Sequence, residues 1–462
     1  MSATTILESA RTLPIAYEAD VAVLGGGPAG LAAAVAAARE GARVILVEKN
    51  GYMGGNATAG LLSYLIGMYA SAPTPDGTRE QVVHGITQEV VERLDARGAT
   101  YRLPRDPNVC FDPEDFKTVA DDLAAEAGVH VVFHSWLAAA VTEGDTVHAA
   151  VLESKSGRRA LRAAAFVDAT GDADLTAFAG APFEKGHVGS QHPAFLQPVS
   201  TLFRVGNVDE ARWTAHIQAN PGDYKFKESA QRAIADGFFD GLPRGDLFYA
   251  KLPHAGDGVV SAGRVLGVDG TDADDLTRAE QAGRRQVWQI LDFLRRYAPG
   301  FKNAFVSAIA PQVGIRETRR ILGQYVLTGD DVVDARRFPD TIARSGSNID
   351  IHNPSGRGIF GNLDVKRRTL SPGGTYDIPY RSLVPRGLTN VLAAGRCISA
   401  DYQAHGSTRL TAQCMSTGQA AGIAAERIAA GSTAAAVNVR VLQERLVSQG
   451  ANLLLPVAAA VA

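Results

Sequence analysis

Hydrophobic and polar residues alternate in blocks near the start of the chain, and the blocks predict a strand, a helix and a second strand. Residues 20–24 form a short apolar run, residues 31–40 are rich in alanine, and residues 42–48 form a second apolar run that ends in an acid. Apolar runs of this length are typical of buried strands, and an alanine-rich helix has little bulk and packs closely on a sheet. This order predicts a βαβ unit.

The same patterns predict further elements along the chain. Helical periodicity or capping residues predict helices at 82–96, 112–127 and 276–297, a helical stretch around 314–320, and a long helix from about 411 to 430. Alternating or continuous apolar residues predict strands at 129–137, 146–152, 161–168, 200–205 and 390–395. Residues 345–374 contain few hydrophobic residues and predict a loop near the site.

The chain length predicts more than one domain. At 462 residues it exceeds one ordinary hydrophobic core. We expect an α/β fold in which residues 1–181 and 380–435 form a Rossmann-like nucleotide-binding domain with a parallel sheet and helices. Residues 182–379, rich in Pro, Gly and aromatic residues, then form an inserted α+β substrate or cap domain, and residues 436–462 form a C-terminal tail.

Composition narrows the function classes. A hydrophobic content of 46% and a charged content of 21% are those of a soluble globular protein, and a net charge of −3 predicts no general attraction to nucleic acid or anionic membranes. Cys110, Cys397 and Cys414 are too few and too scattered for a disulfide framework or metal cluster. No run reaches the roughly 20 apolar residues of a membrane span, and no secretory signal is recognisable. We therefore expect a cytoplasmic protein that binds no metal, and a homodimer stays open as a candidate assembly.

A glycine motif follows the first predicted strand. Gly25 permits a tight turn, Gly27 leaves room for a pyrophosphate to approach the backbone, and Gly30 allows close packing of helix on sheet. The N-terminus of the following helix presents free N–H groups to phosphate. Glu48, about 20 residues further on, is placed to accept hydrogen bonds from ribose hydroxyls. These features together predict a dinucleotide site.

A second match to the same glycine spacing, Gly356-x-Gly358-x-x-Gly361, lies in a different context. It follows Asn353-Pro354 rather than a strand, and no helical pattern follows it. We therefore interpret it as an ordinary loop, and the sequence gives no sign of a separate pyridine-nucleotide domain.

Four separated runs carry a family resemblance: Phe166–Asp172, Gly314–Arg320, Tyr376–Pro385 and Ala394–Ser399. The chain resembles the FAD-dependent oxidoreductases, two-domain flavoproteins, over nearly its whole length. The resemblance implies FAD as the cofactor and a small molecule as the substrate. It also implies that the chain returns to the first domain near Gly395.

The motif and the resemblance together assign candidate FAD-binding residues. Adenine is expected against the end of the 129–137 strand, and the N-terminus of the last long helix is expected to face the N1–C2=O edge of the flavin. The candidates are Gly25, Gly27, Pro28, Ala29, Gly30, Glu48, Lys49, Gly54, Gly55, Asn56, Leu137, Ala169, Thr170, Gly171, Asp172, Gly395, Arg396, Thr411 and Ala412.

A more distant resemblance is to the flavoprotein subunits of fumarate reductase and succinate dehydrogenase. Their His-Gly-x-Asn-Arg-Leu-Gly-Gly-Asn run is similar to residues 405–413, where the His, Gly, Arg and Leu match and the Asn and the Gly-Gly-Asn do not. This resemblance implies that Arg409 binds substrate. No histidine near residues 54–56 corresponds to the one that holds FAD covalently in some of those proteins, so we expect dissociable FAD.

Four residues are candidates for catalysis. Arg409 could bind a carboxylate or polarise a carbonyl, or could form an ordinary ion pair. His405 could act as an acid or base, since histidine titrates near neutral pH, or could be a hydrogen-bonded core residue. His352, in a polar loop, is a further candidate, as is Tyr402.

We expect hydride transfer between a small polar substrate, bearing a carboxylate or a hydroxyl, and N5 of FAD. Reduction of a conjugated C=C bond is the alternative reaction. A non-catalytic electron-transfer subunit would normally need nearby cysteine clusters for iron–sulfur centres. An FAD-dependent RNA modifier would need a basic face, and the basic clusters 284–285 and 366–368 are small.

Overall fold

The computed structural model describes residues 6, 8, 10–71, 73–74, 76–102, 108–188, 196–356, 369–370 and 374–455. Its strands are β1 (Ile15–Leu24), β2 (Val44–Val47), β3 (Tyr64–Leu65), β4 (Thr100–Arg102), β5 (Val109–Phe111), β6 (His130–Val132), β7 (Trp136–Glu143), β8 (Thr146–Ser154), β9 (Gly157–Asp168), β10 (Phe183–Glu184), β11 (Phe203–Gly206), β12 (Phe248–Lys251), β13 (Gly258–Ser261), β14 (Phe305–Ile309), β15 (Arg320–Ile321), β16 (Thr341–Ser345), β17 (Tyr376–Pro379) and β18 (Val391–Ala393). Its α-helices are α1 (Pro28–Arg39), α2 (Ile86–Ala96), α3 (Pro113–Glu126), α4 (Asp174–Phe178), α5 (Glu210–Ala219), α6 (Lys227–Ala235), α7 (Ala273–Tyr297), α8 (Gly329–Val333), α9 (Tyr402–Thr408), α10 (Thr411–Ala429) and α11 (Val439–Ser448).

The largest sheet is mostly parallel. Strands β6, β2, β1, β9 and β18 lie side by side in that order and all pair in parallel. Strands β7 and β8 form a hairpin that pairs antiparallel with the beginning of β9. Because parallel neighbours need crossover connections, helices lie between them, as α1 does between β1 and β2. The predicted α/β fold with a parallel sheet is confirmed.

Helix α10 packs directly on α1. A Cβ atom on Gly418 would lie 2.1 Å from the carbonyl oxygen of Ala29, and one on Gly422 would lie 2.1 Å from that of Ala33. Any side chain at either position would therefore separate the two helices. The predicted long helix after residue 411 is confirmed, and these glycines explain how it fits so closely against α1.

A second hydrophobic core lies between the sheet β12–β13–β11–β14 and helix α7. Its buried residues include Phe203, Val260, Val287 and Leu291. The predicted helix at 276–297 is confirmed as α7, whose N-cap Asp272 accepts a hydrogen bond from the Asp275 amide. The domain boundaries themselves stay a prediction.

The helix predicted around residues 314–320 is wrong. Gly314 instead forms an antiparallel bridge with Ser200, and Arg320 lies in the short strand β15. The charged side chains that suggested a solvated helix face are used in tertiary contacts, because Glu317 and Arg320 form a fully buried ion pair. Tertiary burial of this kind overrides local sequence preference.

The strand predicted at 129–137 is two strands. His134 has a positive φ of 52°, which ends β6 and redirects the chain into β7. Residues 402–408 form helix α9, whose N-cap Asp401 accepts a hydrogen bond from the Ala404 amide. The glycine motif at 356–361 lies, after its first residue, outside the described residues.

The described helices include none that is both long and apolar enough to cross a membrane. Helix α11 lies within the predicted C-terminal tail, and residues 456–462 lie outside the described part of the chain. Cys110, Cys397 and Cys414 are all buried.

Candidate active site

Three segments that are far apart in sequence leave the main sheet at one edge. Leu24 at the end of β1 pairs with Asp168 at the end of β9, and Asp168 pairs with Ala393 at the end of β18. The residues that follow these strands therefore lie side by side. Ligands of open parallel sheets bind at this carboxyl edge. A cleft lies there, and its empty space is about 930 Å³ when the part open to solvent is included.

Most of the predicted cofactor residues line this cleft. Those that do are Gly25, Gly27, Pro28, Ala29, Glu48, Lys49, Gly55, Asn56, Ala169, Thr170, Gly171, Asp172, Gly395, Arg396 and Thr411, together with the predicted substrate residue Arg409. Residues of the cleft that sequence reasoning did not select are Asn50, Ala57, Leu62, Gln312, Ile315, Arg316, Ala394 and Cys414. The predicted residues Gly30, Gly54, Leu137, Ala412, His352 and His405 are not among its lining residues.

The three motif glycines have different surroundings. Gly25 has a φ of +100°, and a Cβ there would lie 2.5 Å from the Ala169 carbonyl oxygen. A Cβ on Gly30 would lie 1.7 Å from the Gly25 carbonyl oxygen. A Cβ on Gly27 would meet no atom within 4 Å. Gly25 and Gly30 are therefore required by protein packing, whereas the space beside Gly27 is left open at the N-terminus of α1, where a phosphate group fits.

Glu48 is buried and held by two backbone amides. Its Oε2 accepts a hydrogen bond from Gly26 N at 2.7 Å, and its Oε1 accepts one from Asn50 N at 2.8 Å. Each carboxylate oxygen can accept more than one hydrogen bond, so both can still accept from hydroxyl groups of a ligand. Beside it, Lys49 places its Nζ 5.0 Å from the centre of the Trp136 ring.

The carboxylate of Asp172 is neutralised within the protein. Arg396 Nη2 donates to Asp172 Oδ1 at 2.7 Å, and Thr318 Oγ1 donates to the same oxygen at 2.6 Å. Arg396 Nη1 also donates to the Ile315 carbonyl at 3.0 Å. A negatively charged cofactor can therefore approach this turn, because the Asp172 charge is already balanced.

Two predicted residues shape the backbone behind the cleft. Gly54 has a φ of +110°, and its amide donates to the Gly26 carbonyl at 2.8 Å. The Ala412 amide, in the first turn of α10, donates to the Ile66 carbonyl at 3.2 Å. Leu137 lies in the antiparallel strand β7.

Arg409 reaches the cleft beside the start of α10. Its Nη2 donates to the backbone carbonyl of Asp350 at 3.0 Å and lies 3.3 Å from Asp350 Oδ2. Its Nε is buried and has no hydrogen-bond partner among the residues that the structure describes. A buried guanidinium is costly unless its charge is balanced, and an anion in the cleft would lower that cost.

His352 is buried behind Asp350, and its contacts fix its protonation. Arg264 Nη2 lies 3.1 Å from His352 Nδ1, and because arginine can only donate, Nδ1 is the acceptor. Nε2 therefore carries the proton and faces Asp350 Oδ2 at 3.4 Å. Burial, reinforced by the charge of Arg316, lowers the pKa of His352 to about 3. Burial alone would raise the pKa of Asp350, but His352 and Arg409 outweigh it and hold that pKa well below its usual range.

His405 is fully buried within helix α9. Its Nε2 lies 3.1 Å from the Arg396 carbonyl oxygen, so Nε2 carries the proton, while Nδ1 has no hydrogen-bond partner in the described part of the chain. Burial, reinforced by Arg320, holds the pKa of His405 well below its ordinary value. The neighbouring Tyr402 is also buried and stacks on His187 at 4.7 Å between ring centres.

Arg316 is the charged cleft residue that sequence reasoning came closest to finding. It lies in the run 314–320, which carries part of the family resemblance, but that run was predicted to be helical. In the structure Glu317 pairs with Arg320 instead, and Arg316 Nη1 donates to Pro198 O at 2.6 Å and to Ser200 Oγ at 2.9 Å.

The arrangement fits a bound dinucleotide. It also places the cation Arg409 in the same cleft, where an anionic group would balance its charge. A family model described as FAD dependent oxidoreductase matches residues 20–446. The chain belongs to this family. FAD is therefore its cofactor and oxidation–reduction its chemistry, and the space at Gly27 and the two acceptor oxygens of Glu48 are the features of this flavoprotein that fit FAD.

Solved structures similar to this flavoprotein are distant. They include a geranylgeranyl bacteriochlorophyll reductase-like protein from Thermoplasma acidophilum, with 15% identity over 94% of this chain and 82% of that chain and a TM-score of 0.43. The flavin-dependent brominase Bmp2 has 14% identity over 92% and 83%, with a TM-score of 0.46. The p-nitrophenol 4-monooxygenase PnpA from Pseudomonas putida DLL-E4 has 14% identity over 94% and 85%, with a TM-score of 0.45. These values support no particular activity for this chain, and no curated protein matched its sequence.

Proposed function

We propose that this flavoprotein transfers a hydride between a small acid-bearing substrate and N5 of FAD. The observation that supports the proposal is the position of Arg409, which lines the same cleft as Gly27 and Glu48. When bound, FAD supplies the two-electron chemistry, and the protein supplies binding and orientation.

In this proposal, different residues of the cleft bind the cofactor and the substrate. The N-terminus of α1, beside Gly27, and the carboxylate of Glu48 hold the dinucleotide end of the cofactor. Arg409 binds the substrate acid group through charge-assisted hydrogen bonds and fixes the reacting carbon relative to the flavin.

We assign positioning roles to the two histidines. The neutral His352 donates to Asp350, which in turn holds Arg409. His405 donates to the Arg396 carbonyl, and Arg396 balances Asp172. Since both histidines are buried and neutral, neither is assigned a proton-transfer step with the substrate.

Anaerobic reduction of the purified protein tests this proposal. The FAD-loaded protein would be mixed with panels of 2-hydroxy acids, 2-amino acids and the matching compounds without a carboxylate. We expect bleaching of the flavin by a member of the acid panels and not by its acid-free counterpart. Bleaching by neutral compounds alone would contradict the role of Arg409.

The alternative reaction, reduction of the conjugated C=C bond of an unsaturated acid by reduced FAD, uses the same contact with Arg409. It would be tested by adding unsaturated acids to flavin that has been reduced with dithionite. Reoxidation by an unsaturated acid without oxygen would assign the protein as a reductase.

A further inference from the structure

The end of the cleft near Arg409 contains a second arginine. Arg316 lines the same cleft, and only its Nη1 is used, by Pro198 O and Ser200 Oγ. Its Nε and Nη2 make no hydrogen bond with the described residues, and Arg316 forms no ion pair with any of them. Donors are thus left for a ligand on a guanidinium that the protein holds in place by its other nitrogen.

Little negative charge from the protein is available to balance Arg316 and Arg409. Asp350 is the carboxylate that contacts Arg409, and it is already bound by His352. Burial, reinforced by the charge of Arg409, lowers the pKa of Arg316 to about 9. Two like charges brought together in a partly buried site are unfavourable unless an anion separates them. Arg244 is another cation whose charge acts on Arg316. It forms an ion pair with Asp246 at 3.0 Å, so the Asp246 carboxylate is not available to balance Arg316 or Arg409.

We infer that Arg316 and Arg409 form a two-arginine anion site, and that the substrate carries two anionic oxygen groups, one for each guanidinium. This inference rests on the proposed function, since it names the substrate class of the same site. Arginine suits the role because its planar fork binds a carboxylate through two parallel hydrogen bonds. A substrate with a single acid group would leave one guanidinium without a counter-ion.

Binding of unreactive anions to the FAD-loaded protein tests the inference without turnover. Malonate, a dianion, and acetate, a monoanion, would be titrated while the flavin absorbance spectrum and the heat of binding are followed. We expect malonate to bind at least about tenfold more tightly than acetate, which corresponds to one additional charge-assisted contact. Equal affinity for the two anions would overturn the inference.

Three variants assign the effect to Arg316. We expect Arg316→Met to weaken malonate binding about tenfold to a hundredfold and to change acetate binding by much less. We expect Arg316→Lys, which keeps the charge but not the fork, to restore part of the affinity. Arg284→Met, at an exposed position of α7, is the control and should bind malonate like the unmodified protein. Equal loss of acetate and malonate binding in Arg316→Met would overturn the inference.

The cofactor provides a further check. Arg316→Met should retain FAD, because the dinucleotide is held by the α1 turn and Glu48. Loss of FAD from this variant would make Arg316 a cofactor contact and would overturn the inference.

The result of the anion-binding test can be told apart from the result of the hydride-transfer test. A protein that binds malonate through Arg316, but whose flavin exchanges electrons with none of the acids, contradicts the hydride proposal alone.

Discussion

Gly26 N donates a hydrogen bond of 2.7 Å to Glu48 Oε2, which ties the turn after β1 to the end of β2. The bond sets the direction of the carboxylate, and the Asn50 amide at 2.8 Å sets its other oxygen. Glu48 is therefore fixed before any ligand arrives, which lowers the entropic cost of binding a ribose.

Replacement of Glu48 by glutamine tests this arrangement. The NH2 group of a glutamine would face one of two backbone N–H donors, and the charge on the acceptor would be lost. We expect Glu48→Gln to weaken FAD binding by about 1.5–3 kcal/mol, or roughly tenfold to a hundredfold. Titration of the apoprotein with FAD measures the effect. Glu114→Gln, at an exposed position, is the control, and equal affinities of the two variants would contradict the role of Glu48.

Substitutions at two of the motif glycines should affect protein stability and FAD binding differently. The Cβ of Gly27→Ala would enter open space, so we expect the apoprotein to keep its melting temperature but to lose most of its FAD affinity. The Cβ of Gly30→Ala would lie 1.7 Å from the Gly25 carbonyl oxygen, so we expect overpacking to destabilise the apoprotein by about 1–3 kcal/mol or more. Thermal unfolding and FAD titration of both variants check this. Normal FAD binding by Gly27→Ala would show that the phosphates lie elsewhere.

The buried histidine His352 should make stability depend on pH. Its pKa is lowered from an ordinary value of 6.5 to about 3, so between these values the unfolded chain binds a proton that the folded protein does not. Its contribution to stability therefore falls as the pH falls from 6.5 towards 3, by about 1.4 kcal/mol per pH unit.

The difference between His352→Gln and the unmodified protein measures this contribution. We expect the variant to show a shallower loss of unfolding free energy between pH 6 and pH 4, in denaturant titrations of the apoprotein. His148→Gln, at a half-exposed position, is the control. Parallel pH profiles of His352→Gln and the unmodified protein would contradict a neutral His352.

Arg409 should act on the substrate and not on the cofactor. We expect Arg409→Ala to retain FAD and to lose about a hundredfold or more in kcat/KM, because the substrate acid would lose its charge-assisted contact. The flavin content of the purified variant and its steady-state kinetics measure the two effects. Unchanged turnover would remove Arg409 from the site.

Most of the residues that local sequence signals selected for the cofactor lie together at one cleft. The turn at Gly25–Gly30 and the acid at Glu48 lie within one βαβ unit, so their relation depends on short-range chain geometry. The segments at Ala169 and Gly395 could be joined to that unit because each follows a buried apolar run that ends in small residues. Their contact depends only on the register of parallel strands.

The cleft position of Arg316 was harder to predict because the contacts that set it are long-range. The run 314–320 has charges at helical spacing, yet Glu317 and Arg320 are buried together and Arg316 faces the cleft. Periodicity carries no information about which distant segment covers a charge. The pairing of Asp172 with Arg396, 224 positions away, was hidden for the same reason.

The most direct test of the account is an anaerobic stopped-flow measurement of flavin bleaching by a dicarboxylic 2-hydroxy acid, with hydrogen or deuterium on the carbon that bears the hydroxyl. The account predicts reduction of one flavin per substrate molecule, slowed by deuterium at that carbon and slowed by about a hundredfold or more in Arg409→Ala with its FAD intact. Bleaching at the same rate with hydrogen and deuterium, and equally in Arg409→Ala, would contradict hydride transfer at this site.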